Sequence, residues 1–198
     1  MKRIAVFASH GGSNLQAIID GCKAGKVSAE VAVVISNNSD AFALERAKRA
    51  KIPCFCLNKK INGNNLCDEM LSLLWGHGID IIFLAGYLKK MPQKILEEYE
   101  GRIYNVHPSL LPKYGGKGMF GLNVHKAVLE AGEKESGATI HRVSGEYDTG
   151  DIIAQKKVPV FDGDTPETLA KRVLAIEHEL VVETLQYLVC PDRIETRS

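Results

Sequence analysis

Two side chains placed two residues apart, Asn105 and His107, form the clearest chemical pattern in the sequence. Residues 102–106 contain the apolar or β-branched Ile103, Tyr104 and Val106, as in a short strand, and Pro108 and Pro112 stiffen the following turn by fixing φ. In an extended chain residues i and i+2 face the same side, so an amide and an imidazole would project together from the strand's end. Open α/β sheets place their chemistry at such ends. An amide N–H can meet developing negative charge, and an imidazole, with an unperturbed pKa of about 6.5, can move protons near neutral pH. In isolation the pattern also fits a buried strand end whose histidine is satisfied by a backbone carbonyl.

A second candidate lies near the start. Arg3 to Ala8 reads as an apolar strand, Ser9 to Asn14 as a glycine-containing loop, and Leu15 to Cys22 as a helix with apolar residues at helical spacing. Unpaired N–H groups at a helix start attract anions, and Gly11 and Gly12 would let a phosphate approach the backbone. A tight turn capped by Ser13 or Asn14 is the alternative. Gly-x-Gly-x-x-Gly is absent, and the second strand, Glu30 to Ile35, ends in Ser36-Asn37-Asn38 without an acid to hold a ribose. There is no Gly-Lys-Ser/Thr either. A single phosphate is expected here, not a dinucleotide or a nucleoside triphosphate.

The elements that must position these residues alternate. A helix is expected over Ala41 to Ala50, a strand over Cys54 to Leu57 with both thiols on one face, a polar loop over Lys59 to Asn65, and a helix over Leu66 to Trp75. Ile79 to Ala85 is almost wholly apolar, as a central parallel strand covered on both faces would be. Gly86 to Met91 leaves that strand, and Pro92 opens a helix to Tyr99. Lys113 to Gly121 contains four glycines and is expected to be a surface loop or a lid. A helix over Val124 to Ala131 and strands over Glu135 to Val143 and Ile152 to Val158 follow, the strands joined by the polar loop Ser144 to Asp151. Thr165 caps a last helix with Pro166 at its first position, running to about Leu188. This order predicts an α/β fold: one open, mostly parallel, Rossmann-like sheet with helices on both faces and a mixed, antiparallel C-terminal part. Residues 1–190 are expected to form one domain, with a phosphate-binding half over about 1–100 and a second half over about 101–190. Residues 191–198 read as a poorly ordered tail.

The bulk numbers narrow the function. The chain has 198 residues, 45% of them hydrophobic and 25% charged, with a formal net charge of +1. It can bury a proper core, and it lacks the broad basic excess of duplex nucleic-acid binders. Lys59, Lys60, Lys89, Lys90 and Lys113 to Lys117 are local basic spots that fit solvated surface. Only five apolar residues precede Ser9, too few for a secretory signal core, and no run approaches the roughly 20 apolar residues of a membrane span. The five cysteines are scattered and odd in number, which points to a reducing cytoplasm. No His-x-x-x-His or Cys/His cluster suggests a metal. Ser109 lacks the Gly-x-Ser-x-Gly elbow of a nucleophile. Small-molecule substrates are expected, with no nucleic acid and no membrane, and the oligomeric state is left open.

The string Asn-Val-His-Pro-Ser-Leu-Leu-Pro over Asn105 to Pro112 resembles the signature of the folate-dependent formyltransferases. The resemblance extends to Gly12 through Ile19, Leu84-Ala85-Gly86-Tyr87, Lys113-Tyr114, Gly137 through His141, Asp148-x-Gly150, Val158-Pro159-Val160 and Asp164-Thr165, so it covers nearly the whole chain in order. It is strongest to the members that formylate glycinamide ribonucleotide in purine synthesis. It implies 10-formyltetrahydrofolate as co-substrate, no metal, and Asn105, His107 and Asp148 as catalytic residues. It also implies Gly12, Ser13 and Asn14 at the ribonucleotide phosphate and Glu177 at its ribose. The folate pocket would comprise the backbone of Leu88, Lys89, Lys90 and Met91, Asn105, and the loop Ser144, Gly145, Glu146, Tyr147 and Asp148. Without the resemblance Glu177 would be an ordinary exposed helix acid, Asp148 a turn residue, and His141 and His178 structural or supporting. Three departures stand out: His10 replaces a common glycine, Asn64 stands where an arginine near the folate tail is common, and Gly115 to Gly121 differs from the better-known bacterial form.

The implied chemistry suits these residue types. A free α-amine has a pKa of about 8, so part of it is neutral near pH 7 and attacks a carbonyl without help from a protein nucleophile. The difficulty lies in the oxyanion and in moving protons from the attacking to the leaving nitrogen. Asn105 offers a neutral N–H and His107 a charged hydrogen bond or a proton. Asp148 is expected to raise the His107 pKa and to hold a relaying water. Other formyl-folate enzymes share the core. A tRNA-directed member would add a C-terminal RNA-binding domain, for which 198 residues are expected to leave no room, and a hydrolase an N-terminal regulatory domain, not expected with the first strand starting at Arg3. A non-catalytic phosphate-binding α/β module would need the glycine loop but not the Asn, His and Asp together.

Overall fold

A computed structural model describes residues 1–190; the tail expected over 191–198 lies outside the described residues. Seven strands form one sheet in the order β3-β2-β1-β4-β5-β6-β7. They are β1 (Lys2–Phe7), β2 (Ala29–Ser36), β3 (Cys54–Cys56), β4 (Ile81–Leu84), β5 (Ile103–His107), β6 (Glu135–Arg142) and β7 (Ile152–Pro159). The first five pair in parallel, whereas β6 pairs antiparallel with both β5 and β7. The sheet is therefore mostly parallel with an antiparallel C-terminal edge, as the alternation of elements predicts.

Seven α-helices flank it: α1 (Ser13–Lys23), α2 (Phe42–Arg49), α3 (Lys59–Asn62), α4 (Leu66–Gly76), α5 (Gln93–Glu98), α6 (Leu122–Glu130) and α7 (Pro166–Val189). Strand alternation divides the core into two layers. Ile4, Val6 and Ala8 point to the side covered by α1, α2, α6 and α7, among them Leu15, Ala43, Val128 and Val173. Ala5 and Phe7 point to the side covered by α4 and α5, with Met70, Leu74 and Ile95. Cys54 and Cys56 pack on the first side and Phe55 on the second, so both thiols do share a face.

The polar loop expected over Lys59 to Asn65 is instead α3 followed by a 3₁₀ turn at Gly63–Asn65. Asn58 caps α3, its side chain accepting from the Ile61 N–H at 2.9 Å, while Asn62 accepts from the Asn58 N–H at 2.9 Å. No residue of α3 is buried, so polar bonds support this turn: the cap itself, the Asn58 Nδ2 donating to the Asn37 carbonyl at 3.0 Å, and the Asn62 amide donating to Glu69.

The sheet order reverses direction between β1 and β4, which makes a crevice at their C-terminal ends. The glycine loop leaves β1 on one side of it and Gly86 to Met91 leaves β4 on the other. Ser9 ties the two together: its N–H donates to the Gly86 carbonyl at 3.1 Å, and its Oγ accepts from the Leu88 N–H at 2.9 Å.

Candidate active site

That crevice deepens into a cavity of about 740 Å³, within the usual 300–1,000 Å³ of small-molecule sites. Its wall includes Gly12, Ser13, Asn14, Leu88, Lys89, Lys90, Met91, Asn105, His107, Ser144, Gly145, Glu146, Tyr147, Asp148 and Glu177. Every site residue expected from the sequence therefore meets one space. Segments far apart in the chain deliver them: the ends of β1, β4 and β5, the β6–β7 loop, and one face of α7.

At one end the glycine loop gives way to α1. Gly12 precedes the helix with φ 68°, a left-handed value that L side chains rarely adopt. A Cβ there would lie 2.8 Å from the Ala43 Cβ, so the loop and α2 touch only because the residue is glycine. No side chain caps the first turn of α1, which removes the alternative of a Ser13 or Asn14 cap. The Asn14 amide turns to Glu177 instead, Nδ2 donating to Oε2 at 2.6 Å.

Glu177 is 7% exposed, not the exposed acid expected in isolation. Burial pushes its carboxyl up to about 6, against a smaller downward pull from the Asn14 hydrogen bond. Its place in α7 explains the burial. Leu169, Val173, Glu177, Val181 and Thr184 form the buried stripe of that helix, and an acid on an apolar stripe is a readable anomaly. The Asn14 Oδ1 is likewise buried and unpaired among the described residues. The two form a polar spot awaiting donors in an otherwise apolar wall.

At the other end lie Asn105, His107, His141 and Asp148. Antiparallel pairing sets Asn105 of β5 opposite His141 of β6. The Asn105 Nδ2 lies 3.0 Å from the His141 Nε2 and donates to the Asp148 Oδ1 at 3.5 Å. The His141 Nε2 is 3.4 Å from the same Oδ1, and the His107 Nδ1 is 3.5 Å from Oδ2. The Gly116 N–H donates to Oδ2 at 2.9 Å. Asp148 therefore sits at the centre of two imidazoles, an amide and a main-chain donor.

Two local features carry Asp148 there. Its φ of 56° is left-handed, a conformation that aspartate tolerates better than most residues. Gly150 then folds the loop against β6 so closely that a Cβ would lie 1.7 Å from the Arg142 carbonyl oxygen. Burial by itself would raise the Asp148 carboxyl. The hydrogen bond from His141, the charge at His107 and the Gly116 N–H outweigh it and hold the group below its ordinary range.

His107 differs from expectation. Asp148 and the Tyr114 carbonyl do pull its pKa upward, but burial pushes it down and prevails, so the imidazole lies below its usual value. The side chain is 5% exposed, and desolvating the cation costs more than one carboxylate at 3.5 Å returns. The ring also combines a cavity-facing position with the backbone-carbonyl partner expected of a buried strand end. His107 faces the cavity, and its Nε2 sits 2.8 Å from a backbone carbonyl, that of Tyr114.

Comparison with known proteins follows the same outline. A family model described as formyl transferase matches residues 2–185. The chain belongs to the formyl transferase family. It is 46% identical over 200 residues to the chloroplastic phosphoribosylglycinamide formyltransferase of Arabidopsis thaliana, covering 100% of this chain and 68% of that protein. It is 41% identical over 179 residues to phosphoribosylglycinamide formyltransferase of Escherichia coli K12, covering 89% of this chain and 82% of that protein. The crystal structure of phosphoribosylglycinamide formyltransferase from Bacillus halodurans aligns with a TM-score of 0.87 at 40% identity, covering 95% of each chain.

Sequence reasoning for this family member undervalued His141, which contacts both Asn105 and Asp148. The missing information was the β5–β6 register, fixed across the long connection from Pro108 to Lys134. It also passed over His125, a buried imidazole in the cavity wall whose burial, together with the charge at His107, lowers its pKa. His178 is partly buried at the back of α7 and does not line the cavity. Of the departures, His10 and Gly116 to Gly121 line the cavity, whereas Asn64 is exposed and outside it. Ser109 is structural: its Oγ donates to the Lys113 carbonyl at 2.7 Å, and its carbonyl accepts from the Thr139 hydroxyl at 2.6 Å. Among the described residues no cluster of three or more His, Cys, Asp or Glu side chains could hold a metal ion, and no helix is long and apolar enough to cross a membrane.

Proposed function

We propose that this chain transfers the formyl group from 10-formyltetrahydrofolate to the amine of glycinamide ribonucleotide, a step of purine synthesis. The observation that carries the reading is the single cavity shared by an uncapped helix start with a buried acid at one end and an Asn–His–Asp cluster at the other. A sugar phosphate supplies what the first end lacks. Its phosphate takes the N–H groups of Gly12, Ser13 and Asn14, and its hydroxyls donate to Glu177. The folate lies against the backbone of Leu88 to Met91 and the loop Ser144 to Asp148. Both halves thus serve both ligands: Glu177 of the second half reaches the ribonucleotide and Leu88 to Met91 of the first the folate, while Asn105, His107 and Asp148 supply the chemistry.

The neutral amine attacks the formyl carbon, and the carbonyl electrons move onto oxygen. The Asn105 amide meets that oxyanion, an interaction commonly worth about 10² to 10³ in rate. His107, neutral near pH 7 because burial lowers it, takes the proton from the attacking nitrogen. Asp148 stabilises the imidazolium so formed. The proton passes to the folate nitrogen as its bond to carbon breaks. No step requires a metal. The partners are these two small molecules, without nucleic acid or membrane, and the five free thiols suit a reducing cytoplasm.

The test is formyl transfer by the purified chain, followed by mass of the formylated ribonucleotide. Folate consumed at the same rate with and without the ribonucleotide would favour a hydrolase. Binding of the ribonucleotide without turnover would favour a phosphate-binding module.

A further inference from the structure

The two nitrogens of His107 have unlike surroundings. Nε2 sits 2.8 Å from the Tyr114 carbonyl oxygen, a full hydrogen bond. Nδ1 faces the Asp148 Oδ2 across 3.5 Å, longer than the 2.7–2.9 Å or so of a formed charge-assisted bond. A carbonyl oxygen only accepts, so Nε2 carries the hydrogen. A neutral imidazole has one N–H, which leaves the lone pair on Nδ1, on the side of Asp148.

Tyr114 is held in an uncommon way. Its φ is 58°, one of three positive values at non-glycine residues among the described residues. Such strain persists only where the surroundings impose it. Here they do so on both sides. The Tyr114 hydroxyl donates to the Glu133 Oε1 at 3.0 Å, and Lys113 reaches the same oxygen at 2.7 Å. The preceding carbonyl, that of Lys113, accepts from the Ser109 hydroxyl at 2.7 Å. The half-buried Tyr114 ring packs against the core layer beneath. A large side chain thus pins a strained peptide whose exposed feature is one carbonyl aimed at the catalytic ring.

We propose that Tyr114, anchored by Glu133, is a positioning residue for the reaction: its main-chain carbonyl fixes His107 as the Nε2–H tautomer, so that Nδ1 is the nitrogen that accepts and returns the proton. This rests on the formyl-transfer reading for its catalytic meaning. In many catalytic triads a carboxylate holds the far nitrogen of the base. Here a backbone carbonyl takes that place, and the carboxylate of Asp148 stays on the reacting side. The arrangement also explains why a bulky residue occupies a position where glycine would be the relaxed choice.

Two measurements test it. In the ligand-free protein labelled with ¹⁵N-histidine, the His107 ring at neutral pH shows a protonated Nε2 and an unprotonated Nδ1. Tyr114→Gly relieves the backbone and drops the anchor. It shows the ring as a mixture of tautomers and loses about 10- to 100-fold in kcat, the scale expected of a misplaced catalytic group, with KM for both substrates little changed and native circular dichroism retained. Tyr114→Phe and Glu133→Ala lose the anchor alone and fall between; Glu133→Gln keeps an acceptor and retains wild-type turnover. A wild-type ring protonated on Nδ1, or wild-type kcat in Tyr114→Gly with its tautomers unmixed, overturns the proposal. Because the ring spectrum needs no substrate, it decides the assignment even if the protein formylates some other amine.

Discussion

Glu177→Gln separates what a buried acid costs the fold from what it contributes to the site. The substitution keeps the shape and an acceptor for the Asn14 amide, but cannot ionise. In the wild type burial raises the carboxyl from an ordinary 4.5 to about 6. A folded-state value above the unfolded one means that the group's contribution is fully present below pH 4.5 and is lost as the pH rises through 6. The shift, 6 minus 4.5, is about 1.5 units; at 1.36 kcal/mol per unit this is about 2 kcal/mol. The wild type should therefore lose about 2 kcal/mol relative to Glu177→Gln between pH 4.5 and pH 7.5, or roughly 4–8 °C in Tm for a chain of this size. Urea unfolding of both proteins across that range measures the difference directly. Activity should move the other way. The uncharged amide accepts ribose hydroxyls less strongly, and KM for the ribonucleotide should rise by about tenfold or more, the value of one hydrogen bond to a charged group. A stability difference that does not change with pH would refute the account of Glu177 as an ionised group held in place by function. A Glu177→Gln protein less stable than wild type at pH 7.5 would refute it equally.

Asp148→Asn preserves the shape of the loop but removes the charge that raises His107, so the inflection in log kcat that belongs to this imidazole should move to lower pH. Turnover should fall by about 10²- to 10⁴-fold, the usual range for losing proton-transfer assistance, and wild-type rates would remove Asp148 from the mechanism. Gly12→Ala forces a left-handed conformation on alanine and drives its Cβ to 2.8 Å from that of Ala43; thermal unfolding should show a loss of at least about 2 kcal/mol, only part of it recovered by adding Ala43→Gly. Ser13→Ala and Asn14→Ala should raise KM for the ribonucleotide with little change in kcat, and an unchanged KM would place the phosphate elsewhere. Asn14→Ala should also move the pH-dependent stability loss of Glu177 upward, because its hydrogen bond is what opposes burial.

Much of this molecule is readable in the chain, for identifiable reasons. The sheet is legible because its strands are short apolar runs separated by helices with clear apolar spacing. Asn105 and His107 are legible because a period of two puts them on one face. Asp148 and Glu177 are different. Nothing in Asp-Thr-Gly distinguishes a catalytic acid from a turn, and only the resemblance points to it; the positive φ and the close approach at Gly150 that aim it inward are tertiary facts. Glu177 does leave a trace, since it falls on the apolar stripe of α7, but reading it requires trusting the helix phase over residue type. His141 leaves none, because a strand register set across a long connection is not written locally. The α3 turn was legible in Asn58 but masked by the polarity of Lys59 to Asn65.

The electrostatics of the cluster follow from where the sheet changes sense. A parallel β6 would have presented its C-terminal end beside the tip of β5, reached only through a crossover connection. Antiparallel β6 instead runs from Thr139, opposite His107, to His141, opposite Asn105, and leaves into the loop that carries Asp148. One reversal thus brings a second imidazole and a carboxylate to the same strand end. The cost is burial: the His107 side chain is 5% exposed and that of Asp148 10%, so neither charge is solvated in the usual way. Burial lowers His107, its hydrogen bonds and neighbouring charges lower Asp148, and the pair at rest is a neutral base facing an ionised acid. That is the state an incoming neutral amine requires. A permanently charged imidazolium could donate to an oxyanion but could not take an amine's proton, so in the proposed reaction the burial that defeats the simple expectation for His107 would equip it for the first proton transfer.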